Sequence, residues 1–385
     1  MGQRADHERV FVQCLPGLGS VLQAEAHRIC DVLPVAGGIE LDGPAGIHAD
    51  AALVLRVAER VLLRLQTFSV RRWPDVEDGL KSARLDGVLG AGDGVVLETS
   101  IRMPGAPAPR ALAEILSRVW QRPVEPARAE DGEGERSRLL LRVVDGRASL
   151  SADVGGELLY RRGWRQETSR APLRETLAAG VLALAGYVPD QPLRDPVCGS
   201  GTLIIEGALV ARSVAPGLGR TFAAERWPRA ERDDWTGRRD RLRAQVRPVT
   251  PAAIVGSDVN AGALGTARRN ARRAGVLADL KLERADVAAA VAGASAPGLV
   301  VGNLPYGVRV DAREGLEAFD AALARTLGRE FAGWRKALLV DDEARLARAG
   351  GGKPDRIHHL VNGGIPVVLG VWEARRAGGK GQEGV

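Results

Sequence analysis

Residues 193–206 read LRDPVCGSGTLIIE. A short apolar strand ends at Asp195, a loop carrying Gly199 and Gly201 follows, and an amphipathic helix begins near Thr202. Glycine lacks a Cβ, so the backbone can turn sharply here and a ligand can lie close against it. A loop of this kind at the carboxyl end of the first strand forms the ligand crevice of open α/β sheets. The acid before the loop bears on what that ligand carries. Asp195 would repel a phosphate but could receive the ammonium of an amino-acid moiety. Alone, the loop suits several nucleotide-binding chemistries.

Two further acids stand at matching strand ends. AAIVGSDVN reaches Asp258, followed by Val259, and LKLERADV reaches Asp286. A carboxylate at the first position can accept both hydroxyls of a ribose, and one at the second can accept an adenine amine. Any single Asp after a strand is more often a helix N-cap than a ligand. Three of them, on the first, second and third strands of one sheet, point to an adenosine joined to an amino acid. S-adenosylmethionine is such a ligand. The candidate cofactor residues are Asp195, Pro196, Cys198, Gly199, Gly201, Thr202, Asp258, Val259, Asp286 and Asn303.

GLVVGNLPYGVRV places Asn303-Leu304-Pro305-Tyr306 directly after a fourth strand. The exocyclic amine of a base is a poor nucleophile, because its lone pair is delocalised into the ring. Two acceptors aimed at its N–H groups, the Asn303 side-chain oxygen and the Leu304 carbonyl, would aim that lone pair at an electrophilic methyl. Pro305 stiffens the loop and removes a competing donor, and Tyr306 offers a face on which an extruded base can stack. The plain alternative is a turn, since Asn, Pro and Gly populate many loops. Cys198 sits inside the glycine loop, where packing is the expected role, so carbon methylation through a cysteine nucleophile is disfavoured. Cys14, Cys30 and Cys198 are too dispersed for a zinc pattern or a disulfide framework, and no metal is expected.

Around these motifs, short apolar strands alternate with helices, which predicts a parallel sheet with helices on both faces. RIHHLV, Asn362-Gly363-Gly364 and IPVVLGVW predict a closing antiparallel hairpin. The helix before the core, APLRETLAAGVLALAG, carries Leu173, Leu177, Val181 and Leu184 on one stripe. The N-terminal half reads as smaller α/β units with no catalytic cluster. RVFVQC (9–14) and GVVLETSI (94–101) are strands, and helices carry Val21, Leu22, Ala26 and Ile29, then Leu112, Ile115, Leu116 and Val119. A further helix is expected over Ala51–Leu65, a charged exposed loop over 130–138, and a hairpin at Asp145-Gly146.

The chain has 385 residues, 45% hydrophobic and 26% charged, the profile of a soluble multidomain protein. No apolar run is long enough for a membrane span and no secretory signal is read, so a cytoplasmic setting is expected. The net charge of +6 is mild. Residues 212–247 hold ten Arg and five acids, with Phe222, Trp227 and Trp235 interleaved. Core packing is the expected role of those aromatics.

In these residues the chain resembles the THUMP-containing class I RNA guanine-N2 methyltransferases of large-subunit rRNA and tRNA. The resemblance is carried by PGLGSVLQAEA, RAPLRETLAAGVL, DPVCGSGTLIIEGAL, APGLGRTFAAERWP and GSDVNAGALGTARRNARRAGV, in the family's order. It implies a Rossmann-like methyltransferase domain at 164–385, with a seven-stranded sheet. A ferredoxin-like region (1–70) and a THUMP RNA-binding region (71–163) would precede it. It further implies S-adenosylmethionine as cofactor and RNA as partner, rRNA ahead of tRNA, with Asn303, Leu304, Pro305 and Tyr306 at the target amine. The family's tetrapeptide has proline where this chain has Leu304, and the chain resembles the stand-alone form. Adenine N6 is the alternative target. From other classes, an NAD(P)-dependent oxidoreductase and an RNA-binding assembly factor with a vestigial cofactor site are the rivals.

Overall fold

The computed structural model describes residues 7–128, 137–166, 173–293, 296–305 and 313–374. Its described residues fall into two units. One draws on Met1–Cys14, Leu22–Leu159 and Arg220–Arg241, the other on Leu15–Val21, Tyr160–Gly219 and Leu242–Val385.

The first unit is built on strands β1 (His7–Cys14), β2 (Asp31–Val35), β3 (Gly38–Pro44), β4 (Ala58–Ser69), β5 (Val95–Ile101), β6 (Val124–Pro126), β7 (Ser137–Val144) and β8 (Arg147–Asp153). They form one continuous sheet in the order β2-β3-β1-β4-β8-β7-β5-β6, and β4–β8 pairing carries it across the boundary expected at residue 70. Alternation sorts its two faces. Val10, Val12, Ile39, Leu41, Leu139, Leu141, Leu150 and Ala152 are buried on one face, while Arg9, Glu40, Arg142 and Ser149 point to the other. Asp145 and Gly146 join β7 to β8 with φ of 50° and 70°, the left-handed pair a two-residue hairpin requires.

The helix expected over Ala51–Leu65 is corrected. A helix runs Ile47–Val54 and stops at Leu55, whose backbone is extended, and the chain continues as β4. Val61, Leu62 and Leu63 are all buried, Val61 and Leu63 beside Val12 and Val10 on the apolar face of the sheet and Leu62 beside Phe11 on the other. The consecutive apolar residues Val61 to Leu63 break the period of two, and Leu55, Ala58, Leu62 and Leu65 match helical spacing as well, so periodicity does not separate this strand from a helix. The first helix is also shorter than its pattern, ending at Ala26 before Ile29. Most of the loop expected over 130–138 lies outside the described residues, and β7 already begins at Ser137.

Residues 220–241, expected within the C-terminal domain, cluster with the first unit. Their aromatics explain why. Phe222, Trp227 and Trp235 are buried; Trp227 and Trp235 lie 5.7 and 6.0 Å from the His48 ring, and Phe222 stacks on Trp235 at 5.2 Å. These rings form core, as expected. Many of the arginines in the 212–247 run are engaged internally. Arg229 pairs with Asp233 and Glu8, Arg238 with Asp50, Arg239 with Glu225 and Arg212 with Asp279.

The second unit carries β9 (Leu193–Asp195), β10 (Ile254–Asp258), β11 (Leu280–Arg284), β12 (Leu299–Asn303), β13 (Arg335–Val340), β14 (Arg356–Asn362) and β15 (Ile365–Trp372). This is the expected seven-stranded sheet, ordered β11-β10-β9-β12-β13-β15-β14. β9 through β13 run parallel and β15 antiparallel to β13, with Gly363 and Gly364 closing the hairpin at φ of 59° and 87°. Succession reverses direction between β9 and β12, the switch point at which open α/β sheets bind ligands beyond their carboxyl ends. Against one face pack Val300, Leu304, Leu323, Leu327, Phe331, Trp334 and Leu338. The helix Glu175–Leu184 is buried around nearly its whole circumference rather than along one stripe, and Leu173 precedes it. Among the described residues no helix is long and apolar enough to cross a membrane.

Candidate active site

The glycine loop is shaped by its own hydrogen bonds. Asp195 ends β9, and its Oδ1 accepts the Val197 N–H at 3.0 Å. Cys198 N–H donates to Ser257 O at 2.9 Å, and Gly199 N–H donates to Asp258 Oδ2 at 2.8 Å. The chain then passes Gly199 (φ 53°) and Gly201 (φ 85°) into the helix Thr202–Ala211. A Cβ on Gly201 would lie 3.1 Å from Ala267 Cβ, so glycine there serves both the turn and close helix packing. A Cβ on Gly199 would meet nothing within 4 Å, so the loop is open to a ligand on that side.

Asp195 is 1% exposed. Burial pushes its carboxyl up to about 8; the Val197 N–H opposes this and the nearby Asp258 charge adds to it. An acid held in that state, with no cation beside it among the described residues, suits a cationic ligand group. Asp258 uses Oδ1 to accept the Asn260 N–H at 2.8 Å, which leaves carboxylate lone pairs for further donors. Asn260, not Asp258, caps the following helix, accepting from Gly262 and Ala263. Ala285 N–H donates to Asp258 O at 3.2 Å, which sets Asp286 at the neighbouring strand end. Asp286 is exposed and caps the single turn Val287–Ala289 through the Ala288 N–H. Val259 is 62% exposed, whereas Pro196 and Cys198 are buried. Burial holds the Cys198 thiol well above its ordinary range, so at neutral pH it is no nucleophile.

Asn303 ends β12, the neighbour of β9. Its Oδ1 is shielded from solvent and has no hydrogen-bond partner among the described residues. A buried acceptor left unpaired costs about 1–3 kcal/mol, so the site holds an acceptor ready for a donor. Leu304 donates its N–H to Leu339 O at 3.0 Å and is fully buried among Leu323, Leu327 and Phe331. A leucine in place of the family's proline therefore anchors the loop through packing. Pro305 follows, and Tyr306 lies outside the described residues.

Other residues that shape the site left little trace in the sequence. Arg345 Nη1 donates to Pro305 O at 3.1 Å, and Arg345 is itself held by the buried Asp320 at 2.9 Å. Arg165 donates to Thr202 Oγ1 at 2.7 Å and pairs with Glu175, which burial pushes up to about 7. In the first unit, Glu8, His48 and Asp233 bring ligand-type atoms within 4.8 Å of one another. His48 Nδ1 lies 2.8 Å from Glu8, its Nε2 lies 3.2 Å from Asp233, and Arg229 pairs with both acids. Two carboxylates facing two cations form a closed ionic knot, and a metal ion would have to displace Arg229.

The chain matches the family described as UPF0020, RMKL-like, methyltransferase domain, over residues 162–369. It is 32% identical over 393 residues to the ribosomal RNA large subunit methyltransferase K/L of Allochromatium vinosum, covering 95% of this chain and 51% of the relative. The chain thus spans about half the length of that curated relative. Among solved structures, a predicted N6-adenine-specific DNA methylase from Listeria monocytogenes is 25% identical, with a TM-score of 0.82, covering 96% of this chain and 97% of that one. SMU.472, solved with SAH, is 24% identical with a TM-score of 0.84, covering 97% and 100%. TrmN from Thermus thermophilus is 22% identical with a TM-score of 0.69, covering 96% and 100%. The last two likenesses are likenesses of fold.

Proposed function

From the chain's membership of the UPF0020, RMKL-like methyltransferase-domain family, we propose that it is an S-adenosylmethionine-dependent RNA methyltransferase acting on the exocyclic N2 of a guanosine in ribosomal RNA. The observation that carries this reading is the buried, unpartnered Asn303 Oδ1 at the carboxyl end of β12, one strand from Asp195. The bound cofactor would supply an electrophilic methyl on a sulfonium. Asp195 would receive its ammonium, Asp258 its ribose hydroxyls and Asp286 its adenine amine, with Gly199 and Gly201 giving close backbone approach. Pro196, Cys198, Thr202 and Val259 shape the rim and floor of that crevice.

At the target base, Asn303 Oδ1 and Leu304 O accept the two amine N–H groups and turn the lone pair toward the methyl. Tyr306 would stack on the base. Ribosomal RNA is favoured over tRNA because the Allochromatium relative is a ribosomal RNA methyltransferase. The N-terminal half, with its THUMP segment at 71–163, would bind that RNA. Adenine N6 is the second reading, favoured by the likeness to the Listeria protein, since the same pair of acceptors fits either amine.

The test is transfer of label from radioactive S-adenosylmethionine to total RNA from a strain lacking the gene, followed by digestion to nucleosides. Labelled N2-methylguanosine is the expected product. Labelled N6-methyladenosine would move the reading to the second target, and no label in RNA would overturn both.

A further inference from the structure

The polar face of the eight-stranded sheet holds a cleft of about 550 Å³ that the methyl-transfer chemistry does not use. Arg9 and Phe11 of β1, Arg64 of β4, Arg142 of β7 and Arg147 and Ser149 of β8 line it, with Glu40 and Asp145 as its acids. Four arginines against two carboxylates leave an excess of positive charge.

These arginines are not equivalent. Arg64 is a fixed element. Its Nε and Nη2 grip Glu40 Oε1 at 3.2 and 3.0 Å, its Nη1 donates to Ser149 and Ser151, and its guanidinium lies over the Phe11 ring at 4.8 Å. One face of a guanidinium plane is thus backed by an aromatic ring and held still, and such planes are platforms for unstacked bases. Arg142 and Arg147 are exposed, and neither has a carboxylate partner among the described residues. Arg142 also stands close enough to Arg64 to disfavour its charge, alongside the larger effect of burial. Like charges facing each other across a concave site are relieved by an anion between them.

We propose that this cleft binds a single-stranded segment of RNA, its phosphates on Arg142 and Arg147 and one base on the Arg64 guanidinium. The cleft's volume lies within the ~300–1,000 Å³ range of small-ligand sites, which admits a nucleotide unit. Backbone charge and one stacking platform give binding with little sequence preference. This inference rests on the RNA reading above and adds a site to it.

The test uses the full chain and a fluorescein-labelled, mixed-sequence single-stranded oligoribonucleotide, read by anisotropy across a salt series. Arg142→Glu/Arg147→Glu should weaken binding at least about tenfold. It should also flatten the dependence of log K on log salt by about 1.4, two contacts at about 0.7 each. Arg142→Lys/Arg147→Lys should retain most of the affinity, and cofactor affinity, measured by calorimetry, should stay at the wild-type value in both variants as the check on folding. In the transfer assay the Glu variant should raise KM for RNA. Unchanged KM and anisotropy, with the wild type methylating RNA, would overturn this inference alone. A self-association of the wild type that the Glu pair abolishes, without loss of RNA binding, would make the face an interface between copies and overturn it too. Absence of RNA methylation by the wild type would instead overturn the parent reading.

Discussion

The guanidinium of Arg345 reaches the carbonyl oxygen of Pro305 at 3.1 Å while Asp320 grips its other edge at 3.2 and 2.9 Å. Asp341 takes a further bond at 2.9 Å. A planar fork held on several sides cannot swing, so the Pro305 carbonyl is held by charge next to the packed Leu304.

Arg345 is accordingly a positioning residue for the amine-binding loop. Arg345→Lys keeps the charge but loses the fork, and turnover should fall by about 10²-fold, the scale expected of a small misplacement of reacting groups. Cofactor affinity should stay near wild type, because among the described residues Arg345 bonds Asp320, Asp341 and Pro305 and not the glycine loop. A variant that lost cofactor binding and turnover together would mark Arg345 as a fold element only. Single-turnover kinetics with calorimetry separates the two outcomes.

Asn303→Ala removes an acceptor that matters as the amine is reshaped. Turnover should drop by about 10² or more with cofactor affinity nearly intact. Rapid-quench measurement of the chemical step checks this, and full activity would exclude Asn303 from the chemistry.

The raised Asp195 carboxyl makes cofactor binding proton-linked. The folded value of about 8 exceeds the ordinary 3.8, so ionisation opposes folding. Stability without cofactor should fall as pH rises from about 4 to 8 and level off above that. A cationic ammonium favours the carboxylate, so binding at neutral pH should release a proton and affinity should rise toward pH 8. Calorimetry in buffers of different ionisation enthalpy reads the proton directly. Asp195→Asn should remove the linkage, weaken binding and raise the melting temperature of the free protein.

His48 predicts a second, separable pH effect. Burial opposes its charge, but Asp233 and Glu8 outweigh that and lift its pKa above the ordinary 6.5. Both acids are correspondingly lowered, with Arg229 contributing. The stabilisation from the imidazolium is therefore complete below about 6.5 and lost as pH rises through the folded value. His48→Gln should flatten the melting profile on that alkaline side while leaving the Asp195 linkage in place. A profile unchanged by the substitution would mean that the ring is buried neutral.

Much of the catalytic half could be read directly. β9, β10 and β12 are short runs ending in Asp195, Asp258 and Asn303, β11 and β13 are closely followed by Asp286 and Asp341, and Asn362-Gly363-Gly364 announces the hairpin. β4 could not be read, because the consecutive apolar residues Val61, Leu62 and Leu63 break its alternation. The acids at 195, 258 and 286 were legible from their place after strands, whereas the hydrogen bond from Gly199 to Asp258 was not. Arg345 and Asp320 are 25 residues apart on separate helices, and Arg229 lies 221 residues from Glu8. Pairs so distant have no periodicity or motif to betray them, and only the folded chain brings them together.

The stretch Arg220–Arg241 returns to pack with residues that precede it by most of the chain. Dissection at residue 163 would therefore not yield an autonomous fragment: it would strip His48 of Asp233 and two indole rings and Glu8 of Arg229, exposing an apolar scar beside the remaining Glu8–His48 pair. The recombinant pieces most worth making are internal fusions that carry this insert with the amino-terminal sheet, joined by a designed linker.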